Sequence, residues 1–376
     1  MKILFAIDLL NSHNNGTSIS AQRFAEELRK RGHEVRILTT GSGEDIYSLP
    51  KLKVPFFQGL IEKEGFAFAR WPKKTITEAV EWADVIHCFM PFIMEDKTKK
   101  IADKLGKPTT AAFHVQAENI TSGMGIGKVR WINELIYRLF RDIAYNKFTH
   151  VHTPSQFMAD EIKLRGYTAK LHPISNGIQS DFTWTKLPKD PEFKDKILIM
   201  MVGRLAGEKR QDIIINAMQY SKYGDKIQLL FAGKGPLYKK YYRLGQKLKN
   251  PPIFTYFTTE ELKNHLAQCD LYIHASDMES EAISCIEAFA TGLVPVISNS
   301  SLSATKQFAL DGRSLFKAGD PKDLARAIDY WLDNPEEKSK MEKIYAESAK
   351  KYNIDHSIDL FEEMLKEAIE DHEKYK

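Results

Sequence analysis

The chain has 376 residues, 43% hydrophobic and 28% charged, enough to bury a sizeable core and, at roughly 150 residues per domain, to build two domains. Ordinary glycine and proline counts exclude collagen-like and low-complexity chains. The formal charge of +4 is uneven, since residues 1–150 carry 22 Lys and Arg against 17 Asp and Glu; this suits an anionic surface or substrate on that side, and equally a solvated lysine-rich face.

Apolar runs of strand length alternate with amphipathic runs of helix length, the order of strand–helix–strand units around parallel sheets covered on both faces. The opening segment is apolar but holds Asp8 and runs into Asn11–Asn15 without a small-residue cleavage site, so it reads as a first buried strand. Strands are expected at 3–8, 35–39, 85–88, 109–113, 150–153 and 171–174, with helices at 17–31, 92–105, 128–147 and 155–164. Residues 175–191 are turn-rich and aperiodic, with Pro188 and Pro191, and mark a linker. A second series then has strands at 197–202, 228–232, 253–256, 271–274, 294–297 and 314–316. Its helices are expected at 210–221, 236–248, 260–268, 282–291 and 322–332, with Pro236 opening one and Gly292 stopping another. The charged tail reads as one or two helices. The fold class is therefore α/β, two doubly wound, Rossmann-like domains facing each other across a cleft, with ligands at the carboxyl ends of the strands.

No apolar run approaches the roughly 20 residues needed to cross a bilayer. Cys88, Cys269 and Cys285 lack the spacing of a disulfide framework or a zinc site, which suits a reducing cytoplasm. Membrane contact is then peripheral.

The glycine fingerprint of dinucleotide folds is absent after the first strand, where only Asn14-Asn15-Gly16-Thr17-Ser18 precedes a helix. Such a glycine turn either brings backbone N–H groups to a phosphate or sugar hydroxyl, or is simply a turn. In the second series Val202-Gly203-Arg204-Leu205 ends a strand and Lys209 stands at a helix entry, while Gly233-Lys234-Gly235-Pro236 repeats the placement. Arg204 and Lys209 can cradle a pyrophosphate there; each pattern alone also fits a charged turn. Eight positions separate Glu279, in a loop, from Glu287, in a small and apolar helix where a buried carboxylate needs partners. Ligand hydroxyls or structural donors both serve.

Gly203-Arg204 with Lys209, Gly233-Lys234-Gly235 and the Glu279, Glu287 pair resemble the donor-site signature of retaining family-4 glycosyltransferases of the GT-B fold, a likeness that runs over nearly the whole chain. His114-Val115-Gln116-Ala117-Glu118-Asn119, Pro173-Ile174-Ser175-Asn176-Gly177 and Glu279-Ser280-Glu281-Ala282 through Leu310 are most similar to bacterial lipid hexosyltransferases, and among them to bacterial cholesterol α-glucosyltransferases. The resemblance implies a first domain, 1–180, that faces acceptor and membrane, and a second, 181–354, that binds a UDP-sugar. The helix at about 355–376 would pack back on the first.

By the same resemblance Arg204 and Lys209 neutralise the departing pyrophosphate. Glu279, with Ser280, Glu281, Ala282 and Ile283 after it, holds the hexose, and Glu287 accepts from the ribose hydroxyls. Gly16 and Thr17 let the first domain close on the diphosphate, and His114 contacts the sugar; a buried histidine bonded to backbone is its plain alternative. Ser280-Glu281-Ala282 departs from the Gly-Phe-Gly-like loop of many members, which can change the hydroxyls that are read. The implied reaction moves glucose or galactose from a UDP-sugar to a lipid hydroxyl (a sterol such as cholesterol, diacylglycerol or ceramide) with retention, by front-face attack assisted by the leaving phosphate. No catalytic carboxylate is assigned. The sequence has no Asp-x-Asp, so neither a metal nor another cofactor is expected.

On the acceptor side, Trp131, Leu135, Ile136, Leu139 and Phe140 recur at helical spacing among Lys128, Arg130, Arg138 and Arg141. Such a helix lies in an anionic membrane interface, or packs on its own sheet. Phe68, Trp71 and the lysines after them form a second aromatic and basic cluster. No nucleic-acid recognition motif appears. Two other readings remain: a glycosyltransferase with a soluble or lipid-linked glycan acceptor, and a non-catalytic sugar-nucleotide or lipid-binding protein.

Overall fold

The structure is a computed structural model and describes residues 1–10, 16–53, 55, 59, 67–123, 127 and 129–374. It divides into two compact units, Met1–Asn176 with Asp355–Lys376, and Gly177–Ile354.

Unit 1 is built on β1 (Lys2–Ala6), β2 (Glu34–Thr39), β3 (Ile46–Ser48), β4 (Val85–Cys88), β5 (Thr109–Ala112), β6 (His150–Thr153) and β7 (Lys170–Pro173). They form one parallel sheet in the order β3-β2-β1-β4-β5-β6-β7. The order reverses beside β1, where the carboxyl ends of β1 and β4 open the crevice typical of doubly wound sheets. Between the strands run α1 (Gly16–Lys30), α2 (Lys73–Trp82), α3 (Ile93–Lys104), α4 (Ala117–Gly123), α5 (Arg130–Ile143) and α6 (Gln156–Leu164). Ala21, Phe24, Ala25 and Leu28 recur at three-to-four spacing and put the buried stripe of α1 against the sheet.

Unit 2 repeats the plan with β8 (Ile197–Val202), β9 (Ile227–Ala232), β10 (Ile253–Thr255), β11 (Leu271–His274), β12 (Met278–Glu279), β13 (Pro295–Ser298), β14 (Leu302–Ser303) and β15 (Leu315–Phe316). Its main sheet has the order β10-β9-β8-β11-β13-β15, and β12 pairs separately with β14. Its helices are α7 (Gln211–Ala217), α8 (Tyr238–Gly245), α9 (Thr259–Leu266), α10 (Ile283–Ala290), α11 (Pro321–Asp333) and α12 (Pro335–Ala349). Leu198, Met200, Leu230, Phe231, Tyr272, Phe289 and Trp331 are among the residues of its core.

The last helix, α13 (Ile354–Lys374), returns to unit 1. Phe361 on it meets Phe5, Phe24 and His87 edge-on at 6.0, 5.1 and 4.9 Å. Arg31 donates to Asp359 at 2.5 Å and to the Asp355 carbonyl at 2.8 Å.

The strand expectations hold within a residue or two, but β3, β12, β14, α2, α4 and α12 are additional, and Glu279, expected in a loop, lies in β12. Pro236 lies in a turn two residues before α8 instead of opening it. Gly292 does follow the end of α10 in the left-handed region, φ +95°, where a Cβ would also sit 2.3 Å from the Trp184 ring.

Candidate functional site

In unit 2 the chain leaves β8 and runs directly against the loop after β9. Gly203 N donates to the Ala232 carbonyl at 2.9 Å, Leu205 N to Lys234 O at 3.0 Å, and Leu237 N to Leu205 O at 3.0 Å. This approach explains the two glycines of Gly233-Lys234-Gly235. A Cβ on Gly233 would lie 2.2 Å from the Gly203 carbonyl oxygen, and one on Gly235 2.4 Å from that of Leu205. Lys234, between them, is exposed, its Nζ 4.7 Å above the Tyr256 ring. Tyr238, Phe254 and Tyr256 line a cavity of about 420 Å³ with this loop. It is an open, aromatic-walled slot, the shape that receives a flat heterocycle.

Beside it stands a charged cluster. After a single turn at Gly207–Lys209, Lys209 lays its aliphatic stem over Gly203, at 3.7 to 4.0 Å from where a Cβ would be. Lys209 Nζ donates to Glu279 Oε1 at 2.5 Å, and His274 Nε2 donates to the same oxygen at 2.9 Å. Burial pushes the Glu279 carboxyl up, but the Lys209 ammonium and His274 outweigh it and hold the group well below the usual carboxylate range. Glu279 is thus an ionised carboxylate shielded from water, and Lys209 a cation held ready.

The turn carrying Lys209 and the loop leading into β12, which carries Glu279, are fixed to each other. Asp277 N donates to the Glu208 carbonyl at 2.8 Å, and Arg210 reaches Asp277 at 3.1 Å. Arg204 lies at this rim, its carbonyl accepting from Gln211 Nε2 at 3.0 Å. Ser280, Glu281 and Ala282 lead into α10, with Glu281 buried. Ala282, at φ +76°, sits in the left-handed region that costs a non-glycine residue about 1–2 kcal/mol. Its methyl side chain cannot cap α10, while its carbonyl accepts from Cys285 N at 2.9 Å. Glu287 follows one turn on, buried in α10.

The carboxyl-end rim of unit 1 carries a different set. His87 on β4, His114 after β5 and His152 on β6 are all buried. His114 stacks on Phe89 at 6.0 Å and meets His152 edge-on at 5.0 Å. His152 Nε2 donates to the Ile174 carbonyl at 2.7 Å, and His87 Nδ1 lies 2.7 Å from Thr110 Oγ1. Burial pulls all three imidazoles down, His152 to about 4 and the other two well below the ordinary histidine value. His114 is therefore neutral, with a buried Nε2 that has no hydrogen-bond partner among the described residues. Beside them Asp8, at the end of β1, accepts from Ala69 N at 2.6 Å and is pushed up to about 6 by burial, and Glu95 in α3 is raised well above the carboxylate range. Gly16 opens α1 exposed to solvent, and Thr17 follows half-buried; Asn14 and Asn15 before them lie outside the described residues.

On the outside of unit 1, α5 is split lengthwise. Asn133 and Tyr137 are buried, Asn133 accepting from Thr121 at 2.6 Å and Tyr137 donating to Glu118 at 2.8 Å. Trp131, Leu135, Leu139 and Ile143, four residues apart, are 70%, 48%, 46% and 58% exposed, flanked by exposed Arg130 and Arg138. Phe140 is a correction: with Ile136 it packs against the unit 1 core, because a position one past Leu139 turns about 100° inward. Phe68 is likewise half-buried, edge-on to Phe92 at 5.1 Å, while Trp71 is partly exposed. Lys128 lies outside the described residues.

The sequence reading missed His274, Asp277 and Arg210. His274 closes a correctly read strand at its carboxyl end, a position that could have singled it out. Arg210, expected to be helical, is instead a left-handed residue, φ +57°, preceding α7.

Comparison with known proteins now bears on this arrangement. Residues 14–182 match the family model described as Glycosyltransferase Family 4, and residues 182–352 the one described as Glycosyl transferases group 1. The chain is 24% identical to a GDP-mannose-dependent alpha-mannosyltransferase of Corynebacterium glutamicum, over 79% of this chain and 72% of that protein. It is 25% identical to an alpha-monoglucosyldiacylglycerol synthase of Streptococcus pneumoniae, over 80% and 71%. Among solved structures, the catalytic domain of cholesterol-alpha-glucosyltransferase from Helicobacter pylori is 50% identical, covering 42% of this chain and 99% of that one at a TM-score of 0.41. HepE of Anabaena in complex with UDP and glucose is 15% identical, covering 98% and 100% at a TM-score of 0.71. Two doubly wound sheets, and consecutive matches to these models over residues 14–352, show that the chain belongs to the family-4 glycosyltransferases of the GT-B fold.

Proposed function

We propose that this glycosyltransferase moves glucose or galactose from a UDP-sugar to the hydroxyl of a membrane lipid (a sterol such as cholesterol, diacylglycerol or ceramide) and retains the anomeric configuration, giving an α-glycolipid. The observation that carries the lipid reading is the exposed stripe Trp131, Leu135, Leu139 and Ile143 between Arg130 and Arg138. Water-exposed apolar rows of this kind, rimmed by cations, are the form in which a helix lies on an anionic bilayer. Among the described residues no helix is long and apolar enough to cross a membrane, so attachment from the cytoplasmic side is peripheral in this reading. One relative is named for making a glucosylated diacylglycerol, which supports the same acceptor class.

The donor reading rests on the unit 2 rim. Arg204 and Lys209 take the pyrophosphate, where negative charge grows as the sugar–phosphate bond breaks, and the slot beside Gly233 takes the base. Glu287 receives the ribose hydroxyls, and Glu279, once Lys209 turns to phosphate, receives those of the hexose. His114, neutral and with Nε2 unpartnered among the described residues, is suited to a sugar hydroxyl. The acceptor proton passes to the leaving phosphate on the attacked face, so no carboxylate nucleophile is required. Two side-chain cations at the rim take the charge role that a bridging metal fills elsewhere, and transfer proceeds without added Mg²⁺ or Mn²⁺.

The test is transfer of labelled hexose from UDP-glucose, UDP-galactose and, as a contrast, GDP-mannose into the organic phase of liposomes containing cholesterol, diacylglycerol and ceramide. Labelled lipid from a UDP-sugar is expected. Label confined to a water-soluble glycan would replace the lipid acceptor, and label from GDP-mannose alone would replace the donor.

A further inference from the structure

We propose that His150, His172 and Glu367 form a site for one divalent transition-metal ion of the Zn²⁺ class, which clips the last helix to the edge of the unit 1 sheet. His150 begins β6 and His172 lies in β7. In the parallel register His152 faces His172, so His150 and His172 stand on the same sheet face, one step apart along neighbouring strands. α13 runs over that face and contributes Glu367.

One ligand atom from each of the three residues lies within 4.8 Å of the other two. His150 Nδ1 and His172 Nε2 are 3.0 Å apart, close to the roughly 3.3 Å between two nitrogens bound about 2.0–2.1 Å from a tetrahedral ion. The rings stack at 5.2 Å with 27° between their planes.

A second feature singles this cluster out from an ordinary histidine pair. Asp371, one helical turn after Glu367, places Oδ2 3.2 Å from His150 Nε2. A carboxylate on the outer nitrogen fixes the tautomer and leaves the Nδ1 lone pair facing inward, the support that metal-bound histidines commonly have. Lys170 now pairs with Glu367, and its side chain is more than half exposed, so it can turn to water when an ion takes the carboxylate. Two imidazoles and one carboxylate favour Zn²⁺, Co²⁺ or Ni²⁺ over Mg²⁺ or Ca²⁺ and leave a fourth position for water. The site shares no residue with the donor rim. Its ion would join residues 150, 172 and 367 and so stabilise the docking of α13.

The experiment uses the full chain, stripped with chelator and dialysed, titrated with Co²⁺ while the visible absorption of four-coordinate Co²⁺ is recorded, then displaced with Zn²⁺. One equivalent bound at micromolar affinity or tighter is expected, with a higher melting temperature in Zn²⁺ than in chelator and no response to Mg²⁺. His172→Ala and Glu367→Gln should each weaken binding by at least about tenfold. The second variant keeps the test open if the first fails to fold. Absence of micromolar binding by the wild-type chain, or equal affinity in wild type and variants, overturns the proposal.

Discussion

The rim of unit 2 keeps its ions paired, while the rim of unit 1 keeps its histidines neutral. On the same topology, Lys209 and Glu279 form an ion pair, joined by a hydrogen bond from His274, beside a glycine-lined loop. His87, His114 and His152 instead sit uncharged among Phe89, Phe24 and Phe361. The difference follows from what can be desolvated. A carboxylate stays ionised under cover when a cation lies within hydrogen-bond distance, whereas a buried imidazole without an anion gives up its proton.

The largest effect that would break this contrast comes from removing the cation. Lys209→Ala should lower kcat/KM for the sugar nucleotide by about 10²–10³, the range for losing one charge-stabilising donor. Circular dichroism should remain native, because the side chain lies on the rim. Donor use equal to wild type would remove Lys209 from the site.

Neutrality in unit 1 predicts an acid limit. His152 titrates at about 4 in the fold, so between roughly 6.5 and 4 the unfolded chain binds a proton that the fold refuses. Its contribution to stability is full above about 6.5 and is lost as pH falls towards 4. Asp8, pushed to about 6, works the other way, since its contribution is present below its unfolded value and lost as pH rises through 6. His152→Gln, which keeps a donor for the Ile174 carbonyl, should flatten the acid loss of the unfolding free energy, read from urea melts, by up to about 3 kcal/mol. An unchanged pH profile would reject the buried neutral imidazole.

The two faces of α5 give a sharper test within one helix. Ser at Trp131, Leu135 and Leu139 together should reduce binding to anionic liposomes at least about tenfold and leave the melting temperature nearly unchanged, since each buried apolar side chain is worth about 1.5–3 kcal/mol. Phe140→Ser should do the reverse, costing about 1–3 kcal/mol of stability with membrane affinity retained in the folded fraction. The smallest effect is expected at Ala282. Glycine there removes the left-handed penalty and should add about 1 kcal/mol in denaturant unfolding, with donor choice between glucose and galactose as the second readout.

Much of the fold was legible because both sheets are covered on two faces, so their strands are nearly continuous apolar runs. Segments 85–88, 150–153, 197–202 and 271–274 were read to the residue. The misses have local causes. β3 is a three-residue edge strand with half-exposed side chains, and α2 follows Pro72 without a side-chain cap. On the unit 2 rim, Gly203, Arg204, Lys209, Glu279 and Glu287 stood out by residue type and placement, which fit plain structural roles equally well; their donor-site roles came only from the family resemblance. His274 did not stand out, since a histidine ending an apolar strand looks like any satisfied core histidine until its partner is known.

By itself the sequence determined the alternation of strands and helices, the loops that bear glycine with lysine, and the helical period of α5, because periodicity and turn chemistry are local. Only the tertiary structure decided that Lys209 and His274 share one oxygen of Glu279, that Phe140 faces inward while Leu139 faces out, and that His150 and His172 meet Glu367. These depend on strand register and on the return of the last helix, contacts between residues up to about two hundred positions apart that no local pattern encodes.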